Sequence, residues 1–200
     1  RDVEWQNKVI TDYLTDEYAL DDEILDTVRY INRQVHSKLP NSNLTRNITW
    51  IPKRFEFSNM FSYGTNNSID FSNMNGTYGL FAPNASGKST LLDALAFCWF
   101  DRCSRTKKAV HVLNNKKSNF ECKFEFELGK YTYFIERKAK KQSNGHVKLN
   151  VDFWRIDDSG NHESLNGDQR DSTNKIIRQY LGSYEDFVLT ALSLQNNNTG

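Results

Sequence analysis

The sequence predicts an α/β fold on three observations. A Gly87-Lys88-Ser89-Thr90 loop lies between a short apolar run, Tyr78-Gly79-Leu80-Phe81, and a long apolar segment opening with Leu91, Leu92, Leu95, Ala96 and Trp99. From residue 47 onward, several stretches alternate apolar and polar residues with the period of two that marks strands. Stretches with helical periodicity occupy both ends of the chain.

Taken in order, residues 1–39 are expected to be helical. Val3 to Leu14 forms a first helix. Asp21-Asp22-Glu23 opens a second, in which Ile24, Val28, Ile31 and Val35 recur at four-three-four spacing. That stripe is expected to pack on its own lobe. Pro40-Asn41-Ser42-Asn43 stops the helix and serves as a linker. Residues 48–51 and 54–57 read as strand, and residues 68–71 as another beyond the polar turn at 64–67. Tyr78 to Phe81 reads as a third, buried strand. The helix after it, over about residues 87–102, is apolar nearly all round and so belongs beneath a sheet.

Phe120, Cys122, Phe124, Phe126 and Leu128 then alternate with Glu121, Lys123, Glu125 and Glu127, a strand with one face in the core. Gly129-Lys130 is a two-residue turn of the Gly-first kind, and residues 131–137 return as its hairpin partner. Ser143-Asn144-Gly145 turns again, and Val147 to Ile156 completes an antiparallel meander. Asp171 or Ser172 is expected to cap a helix bearing Ile176, Ile177, Tyr180 and Leu181, closed by Gly182. Ser183, with Asp186 three residues on, opens another with Phe187, Val188, Ala191 and Leu192 on its apolar face. Gln195 to Gly200 reads as a polar loop. The division expected is 1–46, a helical extension and linker, and 47–200, one lobe.

Strand, tight loop, Gly-Lys-Ser and helix is the context of a phosphate-binding P-loop. The helix N-terminus offers unpaired N–H groups and a partial positive charge, to which Lys88 adds a full one. Asn84, Ala85, Ser86, Gly87, Lys88, Ser89 and Thr90 are therefore the candidate nucleotide-binding residues, with the Ser89 hydroxyl directed to Mg²⁺. The usual pattern, Gly-x-x-x-x-Gly-Lys-[Ser/Thr], has Ala82 at its first glycine here, and a second frequent glycine is Ala85. Left-handed alanine costs ~1–2 kcal/mol, so the loop either avoids positive φ there or absorbs that cost.

Composition narrows the class. Apolar residues make up 38% of the chain and aromatics 13%, and no run approaches the ~18 apolar residues of a membrane span. No signal peptide opens the chain, and with Arg1 rather than Met as its first residue an excised or processed fragment is expected. Cys98, Cys103 and Cys122 form no Cys-x-x-Cys pair and read as buried free thiols of a reducing cytoplasm. The net charge of +1 conceals an asymmetry: residues 105–148 hold twelve Lys/Arg against four Asp/Glu, leaving the remainder at −7. Lys107, Lys108, Lys116, Lys117, Lys138, Lys140 and Lys141 are the candidate contacts of this basic half with a polyanion, double-stranded DNA bound without sequence preference. The bland alternative is a solvated lysine-rich surface.

Antiparallel strands, P-loop, long helix, meander, helices and then a glutamine loop form an order that resembles the N-terminal lobe of ABC-type ATPases. Within them the chain looks like the SbcC-type DNA-repair ATPases over roughly residues 47–200. Residues 57–64, Phe-Ser-Asn-Met-Phe-Ser-Tyr-Gly, match the family's opening strand with its Asn-aromatic-x-Ser ending. Asn84 with Gly87-Lys88-Ser89-Thr90 matches its P-loop, Leu91-Leu92-Asp93-Ala94 the following helix, and residues 184–195 the approach to its Q-loop. The resemblance implies ATP as the nucleotide and Gln195 as a Mg²⁺ ligand and catalytic sensor of the γ-phosphate. It also implies a mixed sheet, an SbcD-type nuclease partner and a homodimer through the ATPase heads. The Walker B and signature motifs lie beyond this stretch in the family, so hydrolysis is expected of the full-length dimer and not of these 200 residues alone. The first 46 residues have no counterpart in members whose opening strand begins the chain.

Two other readings compete. A nucleotide-binding switch or interaction module without turnover suits the loop's missing glycines, and another SMC- or RecF-like ABC ATPase is the other alternative. A membrane-transporter subunit is disfavoured, because the long, basic, strand-rich stretch at 105–148 is not the insertion that coupling to a membrane domain calls for.

Overall fold

Six antiparallel strands and the helices on one of their faces organise the chain from residue 49 onward. The computed structural model describes residues 3–38, 49–84 and 86–190. The strands are β1 (Ile51–Ser58), β2 (Asn67–Asp70), β3 (Asn119–Leu128), β4 (Tyr131–Lys141), β5 (Val147–Asp157) and β6 (His162–Ser164), in the spatial order β2-β1-β3-β4-β5-β6. The meander is borne out, including the tight Gly129-Lys130 turn with Gly129 at φ 61°. Two short elements carry no sequence signal of their own, β6 and the one-turn helix α4 (Ala109–Val112).

The alternation sets which face is buried. Phe120, Cys122, Phe124 and Phe126 on β3, with Phe55 and Phe57 on β1 and Phe153 on β5, all point into the core. The long helix α3 (Lys88–Phe100) lies against this face, and Ala94, Ala96, Phe97, Cys98, Trp99 and Phe100 are buried around its circumference. It is covered from beyond by α5 (Arg170–Leu181) and α6 (Tyr184–Thr190), where Phe187 meets Trp99 edge-on at 5.3 Å. Each buried aromatic contributes ~1.5–3 kcal/mol, so the helix–sheet interface dominates the stability. All three cysteines are buried and free, and burial pushes the Cys122 thiol well above its usual range.

Arg137 breaks the pattern. It occupies an inward position on β4, between Ile135 and Ala139, and is fully buried. Its Nε donates to the Cys98 carbonyl at 2.7 Å, and a terminal nitrogen donates to Trp99 O (3.3 Å) and Asn174 Oδ1 (2.9 Å). These carbonyls end α3, where the helix dipole favours a cation. Asp101, the left-handed C-cap of α3, lies 3.9 Å away and is bound through Oδ2 by Asn174 and Arg170. Arg137 thus belongs to the core, and the basic half presents one surface cation fewer than its composition implies.

Two expectations for this lobe are corrected. Tyr78 to Phe81 is irregular and exposed, Phe81 at 93%. An interior strand needs neighbours to complete its ladder, and every described strand pairs antiparallel without it. The cap of α5 is Gln169, while Ser172 sits at the third helical position and accepts the Gln169 N–H at 2.9 Å. The cap at Ser183 is as expected, its Oγ accepting the Asp186 N–H.

The chain divides into two compact units, Arg1–Asn43 and Leu44–Gly200. The first is a helical hairpin of α1 (Val3–Tyr18) and α2 (Asp22–Lys38). The stripe expected to be covered is open: Ile24, Ile31 and Val35 are about half exposed. The helices meet instead through Leu25 and a polar seam, in which Asn32 donates to Asn7 Oδ1 at 2.8 Å and Arg29 to Thr11 Oγ1 at 3.2 Å. The Pro40–Asn43 linker lies outside the described residues.

Arg137→Met is expected to destabilise the chain by about 3–5 kcal/mol, because it strands two helix carbonyls, Asn174 and Asp101 in the core. A urea titration measures this; an unchanged midpoint would show that the guanidinium is not needed there.

Candidate functional site

The P-loop is a connection from exposed chain into a buried helix. Gly87 sits at φ 99°, ψ 10° as the N-cap of α3, and no side chain caps the helix. Leu91 N–H bonds Gly87 O at 3.1 Å, so the N–H groups of Lys88, Ser89 and Thr90 precede the first intrahelical bond. The Lys88 ammonium curls into the arc of the loop, donating to the carbonyls of Ala82 and Pro83, the latter at 2.8 Å. Asn84, Ser86 and Ser89 are exposed, and Thr90 is buried. Ala82 does not adopt a positive φ, so its methyl costs the loop no left-handed strain. Ala85 lies outside the described residues.

Sequence reasoning misses what backs this loop. Tyr63 Oη donates to Gly87 O at 3.0 Å while its ring packs edge-on to Phe57 at 5.1 Å. Burial raises the Tyr63 pKa, which keeps the phenol a donor. Tyr63 belongs to a tight loop in which Asn59 and Phe61 hold positive φ, 59° and 51°. Such conformations cost ~1–3 kcal/mol each and persist only where neighbours enforce them. Here Phe61 N–H bonds Val112 O (2.6 Å), Asn114 N–H bonds Asn59 O (2.9 Å), and the Asn114 amide bonds Tyr63 O (3.1 Å). Next to Ser62 opens a cleft of 510 Å³ lined by Phe61, His111, Leu113, Asn114, Asn115 and Lys116. The Asn-aromatic-x-Ser pattern flags the segment, but nothing in it announces the contact with Gly87.

Of the proposed metal ligands, Ser89 stands at the start of α3, and Gln195 lies outside the described residues. Among the described residues no group of three or more His, Cys, Asp or Glu could hold an ion. A hydroxyl at a P-loop helix fits a Mg²⁺ carried mainly by phosphates and water.

The lysines divide. Lys140 faces Lys148 across β4–β5, and Lys141 N–H bonds Ser118 O at 2.7 Å, which brings Lys116 and Lys117 beside that end of the sheet. Lys107 and Lys108 line a second cleft, of 310 Å³, with Val147 and His146 of the β4–β5 turn and with Arg170. Lys138 stands apart: it pairs with Glu136 at 2.7 Å, a contact that raises its pKa, and lies opposite Glu121. His146 and Arg170 are not singled out by sequence, since each is far in the chain from the lysines it joins.

Residues 54–198 match a family model described as an AAA domain. The chain is 33% identical over 211 residues to an uncharacterized protein of Acanthamoeba polyphaga mimivirus, an alignment that covers 97% of the chain and 16% of that protein. It is 25% identical over 144 residues to the SbcC component of nuclease SbcCD from Bacillus subtilis, covering 68% of the chain and 13% of that component. Among solved structures it resembles the recombination mediator protein RecF with ATP at a TM-score of 0.42 and 20% identity, over 60% of the chain and 28% of the other. No helix among the described residues is long and apolar enough to cross a membrane.

Gly87→Ala is expected to cost about 1–2 kcal/mol, because an added Cβ brings backbone strain at φ 99° and a 3.2 Å contact with Ser62 Oγ. Urea titrations of the single variant and of its combination with Ser62→Gly separate the two causes. Failure of Ser62→Gly to restore the midpoint identifies the backbone; full restoration identifies the contact.

Proposed function

The chain belongs to the AAA domain family and is of the SbcC type within it, and from that premise we propose that it is the ATP-binding part of a DNA-repair ATPase. The observation that carries this reading is the N-terminus of α3, with its uncapped N–H groups, left-handed Gly87 and Lys88 gathered into the loop. Phosphates bind against the N–H groups of residues 87–90, and Lys88 exchanges two loop carbonyls for phosphate oxygens. Asn84, Ala85 and Ser86 complete the cradle. Bound Mg²⁺ supplies charge neutralisation at the β- and γ-phosphates; Ser89 offers it one oxygen and Gln195 another. The 510 Å³ cleft beside Ser62 accommodates the nucleoside, with Phe61 and His111 available to the base.

Residues 47–200 act as the N-lobe and residues 1–46 as a helical extension. The chain spans only 16% and 13% of the curated relatives described above. In the whole protein two heads form a homodimer, an SbcD-type nuclease subunit is the partner, and the compartment is cytoplasmic. Double-stranded DNA binds without sequence preference through the lysines at the β4–β5 end of the sheet. The non-glycine at position 82 gives little support to a switch without turnover, since Ala82 avoids positive φ.

Calorimetric titration with ATP and Mg²⁺ tests the site. Lys88→Ala is expected to weaken binding ten- to hundredfold, the worth of a charge-assisted phosphate contact at ~1.5–3 kcal/mol; unchanged affinity overturns the P-loop reading. The 200-residue chain is also expected to bind ATP without steady hydrolysis in a phosphate-release assay. Turnover that disappears in Lys88→Ala would show that no second lobe is required.

A further inference from the structure

The cleft of 310 Å³ at the β4–β5 turn lies at the C-terminal end of α3, at the opposite end of that helix from the P-loop. Lys107 and Lys108 stand on its exposed wall, and the charge of Lys107 also acts at a distance on the Glu185 carboxylate of α6. Their backbone is fixed: Thr106 Oγ1 accepts the Lys108 N–H at 2.9 Å, and Cys103 N–H bonds Thr106 O. The His146 imidazole stands on the turn opposite, and Arg170 opens α5 on the remaining side. One carboxylate, Asp101, also lines the cleft.

Asp101 is already provided for. Its Oδ2 accepts from Asn174 Nδ2 at 2.8 Å and pairs with Arg170 Nε at 3.2 Å. Its Oδ1 lies 3.9 Å from a terminal nitrogen of Arg137 that is buried without a hydrogen-bond partner. Arg170, about half exposed, can therefore turn outward while Asp101 retains Asn174 and closes on the waiting Arg137 nitrogen. Buried guanidinium and carboxylate then balance each other, and Lys107, Lys108, Arg170 and the His146 imidazole are left for an anion, the His146 backbone N–H being taken by Asn144 Oδ1 at 3.0 Å.

We propose that this cleft receives a backbone phosphate of duplex DNA, with Lys107, Lys108 and Arg170 as its cations and His146 as a further donor, and that occupancy draws Arg170 away from Asp101. The proposal rests on the DNA reading above and deepens it. It assigns the phosphate contact to the end of the meander, and it adds two residues that charge counting leaves out. Continuity with Lys140, Lys141 and Lys148 around the same turn lets one strand of phosphates pass from the cleft along the sheet end. Contacts of this kind carry no base information.

The experiment is a salt titration of a fluorescent duplex by the 200-residue chain, read as anisotropy. It compares the parent, the double variant Lys107→Gln/Lys108→Gln, Arg170→Gln, and Lys130→Gln at the far β3–β4 turn. Each cleft variant is expected to weaken binding and to lower the log–log salt slope by about 0.9 for every phosphate no longer neutralised, with Lys130→Gln matching the parent. All substituted side chains are exposed or half exposed, and urea midpoints check that the variants are folded. Steep, salt-dependent binding by the parent that persists unchanged in both cleft variants overturns the cleft assignment and leaves the DNA reading standing. No duplex binding by the parent at low salt overturns the DNA reading and the assignment with it. Inorganic pyrophosphate binding that is lost in Lys107→Gln/Lys108→Gln, while duplex binding is unchanged in that variant, identifies the cleft as a site for free phosphate and also overturns the proposal.

Discussion

The interaction on which the architecture depends is the burial of one guanidinium against the C-terminus of α3. A charged side chain inside a core is costly unless it is compensated, and this interaction joins three elements. The helix contributes two terminal carbonyls and Asp101, α5 contributes Asn174, and β4 contributes Arg137 itself. Apolar packing against a flat sheet is non-directional and leaves a helix free to slide or rotate. The hydrogen bonds of Arg137 are directional and fix the axial position of α3, which in turn fixes where its N-terminus, and so the P-loop, meets solvent.

The other end of α3 is fixed by different means. There the contacts are single hydrogen bonds from a strained loop, Tyr63 to Gly87 above all, and the strain at Asn59 and Phe61 is held by the segment around Val112 and Asn114. One end is thus set by buried charge and the other by backbone geometry. Since Arg170 is shared between Asp101 and the second cleft, anything that engages Arg170 acts on the rigid end. The helix rises about 1.5 Å per residue, so its 13 residues set the two ends some 20 Å apart.

What is legible in the sequence follows from what periodicity encodes. The meander, α3 and the final helices are readable because alternation and apolar density report burial directly. Arg137 is not, because a charge tally ignores the register that points every second residue of β4 inward. The run Tyr78 to Phe81 misleads for the converse reason: four apolar residues look alike whether or not neighbouring strands exist to receive them. On α2, the spacing of Ile24, Ile31 and Val35 is plain, but spacing does not say which face meets the partner helix, and Leu25 with a polar seam takes that role. In the site, Lys88 and Ser89 announce themselves by motif. Tyr63 does not, because its part depends on positive φ at residues that are not glycine.

The pairing of strands also implies an order of assembly. β3, β4 and β5 are joined by tight turns, so their ladders form between near neighbours in the chain. β1 must instead find β3 across the whole intervening segment that carries the P-loop and α3. Closing that long loop has an entropic cost that only the finished helix–sheet interface repays. Short-range pairing favours early formation of the meander, which offers β1 and α3 a surface to dock on. The loop before α3 depends on that docking, so its geometry reflects the completeness of the entire lobe, far beyond the few residues that form it.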